Sequence, residues 1–151
     1  MRQPKFYAAV FGIIRNEEGE ILFSRRSNTW HLDGYLSLPA GHVEIGESVT
    51  EAMIRELEEE IGITTTSLHV WVTQQSMNIE DWKTYFNTFF EVDHYTWVIS
   101  NKEVDKCSEL IFLSLDALEN EKTVPYVLYA LECIRNRIIF SEIRWSVGHD
   151  L

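Results

Sequence analysis

The chain has 151 residues, 45% of them hydrophobic, and a formal net charge of −11. That length and apolar content suit one globular domain spanning 1–151 with a proper core and exclude a disordered chain. The charge disfavours a nucleic-acid polymer as partner, since no Lys/Arg run offsets it.

Cys107 and Cys133 are too few and too far apart for a disulfide framework or a metal pair, which points to a reducing cytoplasm and to buried core thiols. The apolar run Phe6–Ile14 follows Arg2 and Lys5 but is too short to cross a bilayer. It runs into the charged Arg15–Glu20 turn instead of a small-residue cleavage site, so it reads as a strand, and no membrane partner is expected. Asn16-Glu17-Glu18-Gly19 signals a turn, and Glu20–Ser24 returns as a second strand, so the two are expected to form a hairpin. Arg25 and Arg26 near its end are either solvated surface charge or planar, bidentate donors to a phosphate. Ser27–Tyr35 is loop-like, with Asp33-Gly34 as a turn, and Leu36–Leu38 is a short strand broken by Pro39.

Gly41–Ile63, GHVEIGESVTEAMIRELEEEIGI, holds seven acidic residues against one basic, more than half of the net charge. Ser48 and Glu51 fit the S-x-x-E capping box, and Gly62 falls where a helix commonly ends. Val49, Met53, Ile54, Leu57 and Ile61 then share one face, and Glu56, Glu59 and Glu60 fall at its edge, one turn apart. Carboxylates crowded there repel one another. Pairing with Arg55 at a solvated surface softens the repulsion, and a hard divalent cation removes it; ligands that are all oxygen suit Mg²⁺ or Mn²⁺ rather than zinc.

The same stretch resembles the Nudix box, G-x5-E-x7-R-E-U-x-E-E-x-G-U with U aliphatic. Gly41, Glu47, Arg55, Glu56, Leu57, Glu59, Glu60, Gly62 and Ile63 occupy all nine constrained positions. The resemblance to the Nudix (MutT-like) hydrolase family implies an α/β fold, an α/β/α sandwich with a mixed β-sheet. It also implies Mg²⁺-dependent hydrolysis, with Mn²⁺ as substitute, of a phosphoanhydride in a nucleoside diphosphate linked to a further group.

By position, Glu56, Glu59 and Glu60 match the family's metal ligands, and the carbonyl before the first glycine, which often joins them in the family, would be that of Ala40. Glu47 would assist from outside that shell, Arg55 would hold the carboxylates in place, and Gly41 and Gly62 would serve backbone geometry. The base would be one of the box carboxylates, Glu56 and Glu59 included, or Glu103. The Leu38-Pro39-Ala40-Gly41-His42 lead-in resembles the nucleoside triphosphate branch, which releases a nucleoside monophosphate and pyrophosphate, oxidised or non-standard nucleotides included. The proline of ADP-ribose hydrolases, about fifteen residues beyond the box, is absent. Hydrolysis of a nucleotide sugar or dinucleoside polyphosphate and a non-catalytic, nucleotide-sensing role are the alternatives. Isoprenoid diphosphate isomerisation fits less, since neither cysteine lies in a matching motif. A small phosphorylated nucleotide is the expected partner, and a homodimeric state stays open.

Beyond the box, Ser67–Thr73 and Thr84–Asp93 read as strands and Trp97–Ser100 as a further short one. Trp82 and Tyr85 either stack on a nucleobase or pack on the sheet, and His42 is an exposed loop histidine or a phosphate contact. Asn101–Glu109 is a polar loop before the apolar Leu110–Leu113. It resembles a post-box segment of the family in which a Glu supplements the box, with Glu103 as the match and Lys106 as a phosphate contact, although both could equally be exposed loop charges. Residues 123–139, with Pro125 in the first turn, form a second helix facing the core. The tail with Trp145 and Gly148 shows no chemistry.

Overall fold

The computed structural model describes residues 5–148. Its strands are β1 (Phe6–Ile13), β2 (Ile21–Arg26), β3 (Leu36–Ser37), β4 (Ala40–His42), β5 (Thr64–Asn78), β6 (Thr84–Thr96), β7 (Cys107–Leu113) and β8 (Phe140–Trp145). Two α-helices, α1 (Val49–Ile61) and α2 (Pro125–Arg135), and a 3-10 helix at Asp116–Asn120 complete it. One sheet runs β4-β1-β6-β5-β8 and is mixed, with β1–β6 and β5–β8 parallel and β1–β4 and β5–β6 antiparallel. The second is antiparallel, in the order β3-β2-β7.

Alternation along β1 places the helices. Ala9, Phe11 and Ile13 point into a core shared with Val127, Ala130 and Leu131 of α2, whereas Val10 faces Ala52, Met53, Leu57 and Ile61 of α1. Both faces of the large sheet are therefore covered, as the resemblance implies. Met53, Leu57 and Ile61 are almost wholly excluded from water. At about 1.5–3 kcal/mol for each such side chain, this face anchors the acidic edge that runs beside it. The helix starts as its capping box predicts: Ser48 Oγ accepts from the Glu51 amide at 3.2 Å and the Ser48 amide donates to Glu51 Oε2 at 2.8 Å. It stops at Gly62, which takes a left-handed φ of 72° while its amide reaches the Glu58 carbonyl.

Three sequence expectations are corrected. The turn at Asn16–Gly19 forms, but β1 and β2 meet only through a bridge between Arg15 and Ile21 and then enter different sheets instead of making a hairpin. Trp97–Ser100 is not a strand: Trp97 has a φ of 75°, which breaks the extended backbone. The second helix ends at Arg135, because Arg137 turns to a φ of 59°, leaving Ile138 outside it and 46% exposed. The tail supplies β8, parallel to β5. Among the described residues no helix is long and apolar enough to cross a membrane.

Candidate active site

The acidic edge of α1 lies against β4. Gly41 has no room for a side chain there: a Cβ would stand 1.9 Å from Glu56 Oε1 and 2.0 Å from its Cδ. The absence of that carbon lets the Glu56 carboxylate lie on the β4 backbone. Glu60, one turn on, accepts a hydrogen bond from the Ala40 amide at 3.0 Å.

Arg55 gathers the other carboxylates. Its guanidinium donates to Glu47 at 2.7 and 3.1 Å, to Glu56 at 2.7 Å, to Glu59 at 3.3 Å and to the His42 carbonyl at 3.0 Å. The box is thus tied to β4 and to the loop before α1 by one planar cation with its donors in a fixed fork.

The carboxylates differ in electrostatic state. Burial pushes Glu60 up to about 8, opposed by the Ala40 amide and reinforced by the charges of Glu56 and Glu103. Burial also raises Glu56, against the pull of Arg55, with Glu59 and Glu103 adding to the rise. Glu47 goes the other way, because its bonds to Arg55 and to the Glu44 amide favour the charged form.

As these side chains are placed, no three His, Cys, Asp or Glu groups among the described residues converge on a point that could enclose an ion. Arg55 draws Glu56 and Glu59 toward itself, and Ala40 holds Glu60. The donor chemistry nevertheless fits a hard divalent cation. Glu56 and Glu60 are oxygen donors at a protein-surrounded edge, each raised by the other carboxylates, and a cation there relieves both the burial and the repulsion.

Glu103 belongs to the same place. It lines a cleft of about 280 Å³ with Ala40, Glu60, Arg26, Lys106 and Cys107. Its loop is pinned to the end of α1 by main-chain bonds, Ser100 to Ile61 and Lys102 to Glu60, at 3.0 and 2.9 Å. Asn101 closes the turn, accepting from the Glu103 amide and donating to the Cys107 carbonyl. Lys106 Nζ stands 3.7 Å from Glu103 Oε1.

A second recess, of about 310 Å³, opens beside the cleft and shares Arg26, Ser37 and Ala40 with it. Tyr85, His42, His31, Tyr126 and Asn87 complete its lining. Tyr85 stacks on Tyr7 at 5.1 Å between centroids and its hydroxyl lies 3.5 Å from His42 Nε2, while the Tyr126 ring meets the edge of Phe11 at 5.9 Å. This arrangement offers aromatic surface on one side and acidic and basic groups on the other.

Not every candidate comes together here. Arg25 is held by Glu109 at 2.6 Å, Glu121 at 3.0 Å and the Gly34 carbonyl, and lines neither cavity, because its neighbours Ser24 and Arg26 take the inward positions of the strand. Trp82 stands at the tip between β5 and β6 with a φ of 58° and is 68% exposed, outside the recess that Tyr85 lines. Cys133 is buried as expected, but Cys107 is only partly so. Its thiol, raised by burial, lies at the cleft and donates to the Glu109 carbonyl. Sequence reasoning passed over Asn87, His31 and Tyr126. A polar residue at the centre of the apolar Thr84–Asp93 run was the one available signal for Asn87.

Mixed sheet, two covering helices and an acidic helix edge beside an aromatic recess define an α/β/α domain built around a carboxylate centre. The model of the NUDIX domain matches residues 5–131, and the chain belongs to the Nudix family. The 8-oxo-dGTP diphosphatase of Escherichia coli (strain K12) is 49% identical over 53 residues, 35% of this chain and 41% of that protein. The ADP-ribose pyrophosphatase of Methanocaldococcus jannaschii is 44% identical over 55 residues, 36% of this chain and 31% of that protein. The chain thus spans less than half the length of these curated relatives. Among solved structures, the MutT protein from Methanosarcina mazei Go1 superposes with a TM-score of 0.77 at 26% identity, covering 90% of this chain and 97% of that one.

Proposed function

We propose that the chain hydrolyses a phosphoanhydride of a small nucleotide in a divalent-cation-dependent reaction, with a nucleoside triphosphate as the favoured substrate and a nucleoside monophosphate and pyrophosphate as products. The observation that carries this reading is that cleft and recess lie side by side, with Arg26, Ser37 and Ala40 in the walls of both. A base placed among Tyr85, His42 and Tyr126 would send its phosphates toward Glu56, Glu60 and Glu103. The name of the Escherichia coli relative makes an oxidised purine nucleoside triphosphate the first compound to try. A nucleotide sugar is the second reading, supported by a further hollow beyond the recess, lined by Trp30, Lys83 and Tyr85, where a second group could sit.

Glu56, Glu59 and Glu60, with the Ala40 carbonyl, would hold Mg²⁺ or Mn²⁺. Such a cation, when bound, neutralises phosphate charge and makes water easier to deprotonate. Arg26 lines both cavities and its Nε is buried with no hydrogen-bond partner among the described residues, which supports a role as donor to a phosphate oxygen. Lys106 offers a second positive charge in the cleft. Glu103 takes the proton of the attacking water, and Arg55 keeps Glu47, Glu56 and Glu59 in register.

Purified protein offered nucleoside triphosphates, oxidised nucleotides, nucleotide sugars and dinucleoside polyphosphates with Mg²⁺ tests this reading. Release of pyrophosphate or monophosphate that stops in excess chelator and returns with Mg²⁺ or Mn²⁺ is the expected result. Turnover undiminished by chelator would sink the metal assignment, and no turnover of any compound would sink the hydrolytic one. Gly41→Ala should lower kcat in the same assay by about 10²-fold, the scale of an ångström-sized misplacement, because the new methyl displaces Glu56. A folded Gly41→Ala protein with normal kcat would show that the seat of Glu56 is unimportant.

A further inference from the structure

A buried chain of side-chain amides ends at the floor of the recess. Gln74 on β5 donates from Nε2 to the Tyr126 carbonyl at 3.0 Å. A carbonyl can only accept, so this bond fixes which end of the Gln74 amide is oxygen. Its Oε1 faces Asn87 on β6, whose Nδ2 donates to it and to Ser76 Oγ, each at 3.1 Å. Both N–H groups of Asn87 are thereby committed toward β5. Its Oδ1, at the other end of the amide, is buried and accepts from no group among the described residues.

The direction of that oxygen follows from the sheet order. β6 lies between β5 and β1, and the recess is walled on the far side of β6 from β5 by Ala9 of β1 and by Ala40, Gly41 and His42 of β4. Asn87 lines the same recess and is only 2% exposed. Turning the amide over gives no relief, because Oδ1 would then oppose Gln74 Oε1. A buried acceptor locked in one orientation is costly unless something donates to it.

We infer that Asn87 reads the nucleobase, its Oδ1 accepting from an N–H, either an exocyclic amino group or a ring imide, that the bound base presents to the recess floor. Gln74 and Ser76 set the sense of this readout by occupying both donors, and Tyr126 sets the sense of Gln74. The inference rests on the reading of the recess as a nucleotide site. It adds a selection rule, since a base offering only a lone pair or a C–H at that point leaves Oδ1 unpaired.

Calorimetric binding of nucleoside 5′-monophosphates in pairs that differ by one N–H-bearing group tests it: AMP against purine riboside monophosphate, GMP against IMP, CMP against its analogue lacking the 4-amino group, UMP against its N3-methyl form. The wild-type chain is expected to prefer the N–H-bearing member of at least one pair by about 10- to 100-fold, the range that an unpaired buried acceptor produces. In Asn87→Leu that preference should fall to within a few-fold. Should Asn87→Leu fail to fold, Asn87→Ser, whose hydroxyl falls short of the position that Oδ1 holds, makes the same comparison. No preference in the wild type, no binding of any monophosphate, or a preference unchanged in a folded variant would each overturn the inference. Hydrolysis is followed in parallel on the matching triphosphates. Turnover with an unaltered base preference leaves the hydrolytic reading standing and removes the role of Asn87, whereas a binding preference lost in Asn87→Leu, in a chain that hydrolyses nothing, does the reverse.

Discussion

Glu103→Gln is expected to lower kcat by about 10²–10⁴-fold, the usual contribution of a general base, while leaving the metal concentration for half-maximal rate nearly unchanged. A carboxylate that ligates a cation is a poor base, because the positive charge lowers its pKa, whereas one beside the ligands can still take a proton. Glu103 meets that description. It lines the cleft with Glu60 and Ala40, but it stands on a separate loop, near enough for its charge to raise both Glu56 and Glu60. Rate and metal titration together decide the matter. A loss below about tenfold would return the base to the box, and a large shift in metal requirement would make Glu103 a ligand.

Glu60→Gln is expected to lower kcat by about 10²–10³-fold at saturating Mg²⁺, because in the proposed reaction it removes ligand charge at the point where charge develops. It also has a signature in stability that does not depend on turnover. The folded carboxyl is held near 8, above its ordinary 4.5, so between these values Glu60 is protonated in the folded chain and ionised in the unfolded one. The stability it lends is complete at low pH and is lost as pH rises through 8. Glutamine mimics the protonated form at every pH. In excess chelator the variant should therefore melt close to wild type at pH 5 and higher at pH 9, by at least about 1 kcal/mol, or roughly 3 °C. Coincident melting curves at pH 9 would mean that the carboxylate is better solvated than its place against Ala40 indicates.

Much of this centre could be read in advance because it is local. The capping box, the apolar period and the glycine stop of α1 all lie within one short segment, and the helix they dictate fixes the spacing of Glu56, Glu59 and Glu60. What escaped was non-local. The Asn16–Gly19 turn is where it was expected, yet β1 prefers β4 and the distant β6 to its neighbour β2, a choice no turn residue encodes. Arg25 and Arg26 look alike in sequence, and only the pairing of β2 with β3 and β7 decides which faces the cleft. β8, with its mixed sequence FSEIRW, shows little alternation and is a strand because the edge of β5 is there to receive it. The ring of Trp82 suits either stacking on a base or packing on the sheet, but its backbone places it at a tip, where it does neither.

The loop that carries Glu103 is attached to α1 through main-chain amides of Ser100 and Lys102, not through their side chains. An attachment of that kind is indifferent to which residue supplies the amide, proline excepted. Descendants of this sequence can therefore exchange Lys106, which lines the cleft, and alter what the cleft attracts while Glu103 stays aligned with the helix. The fold separates the part of the loop that must stay in place from the part that drift can explore, so the lining of the cleft can change by single steps while its frame is kept.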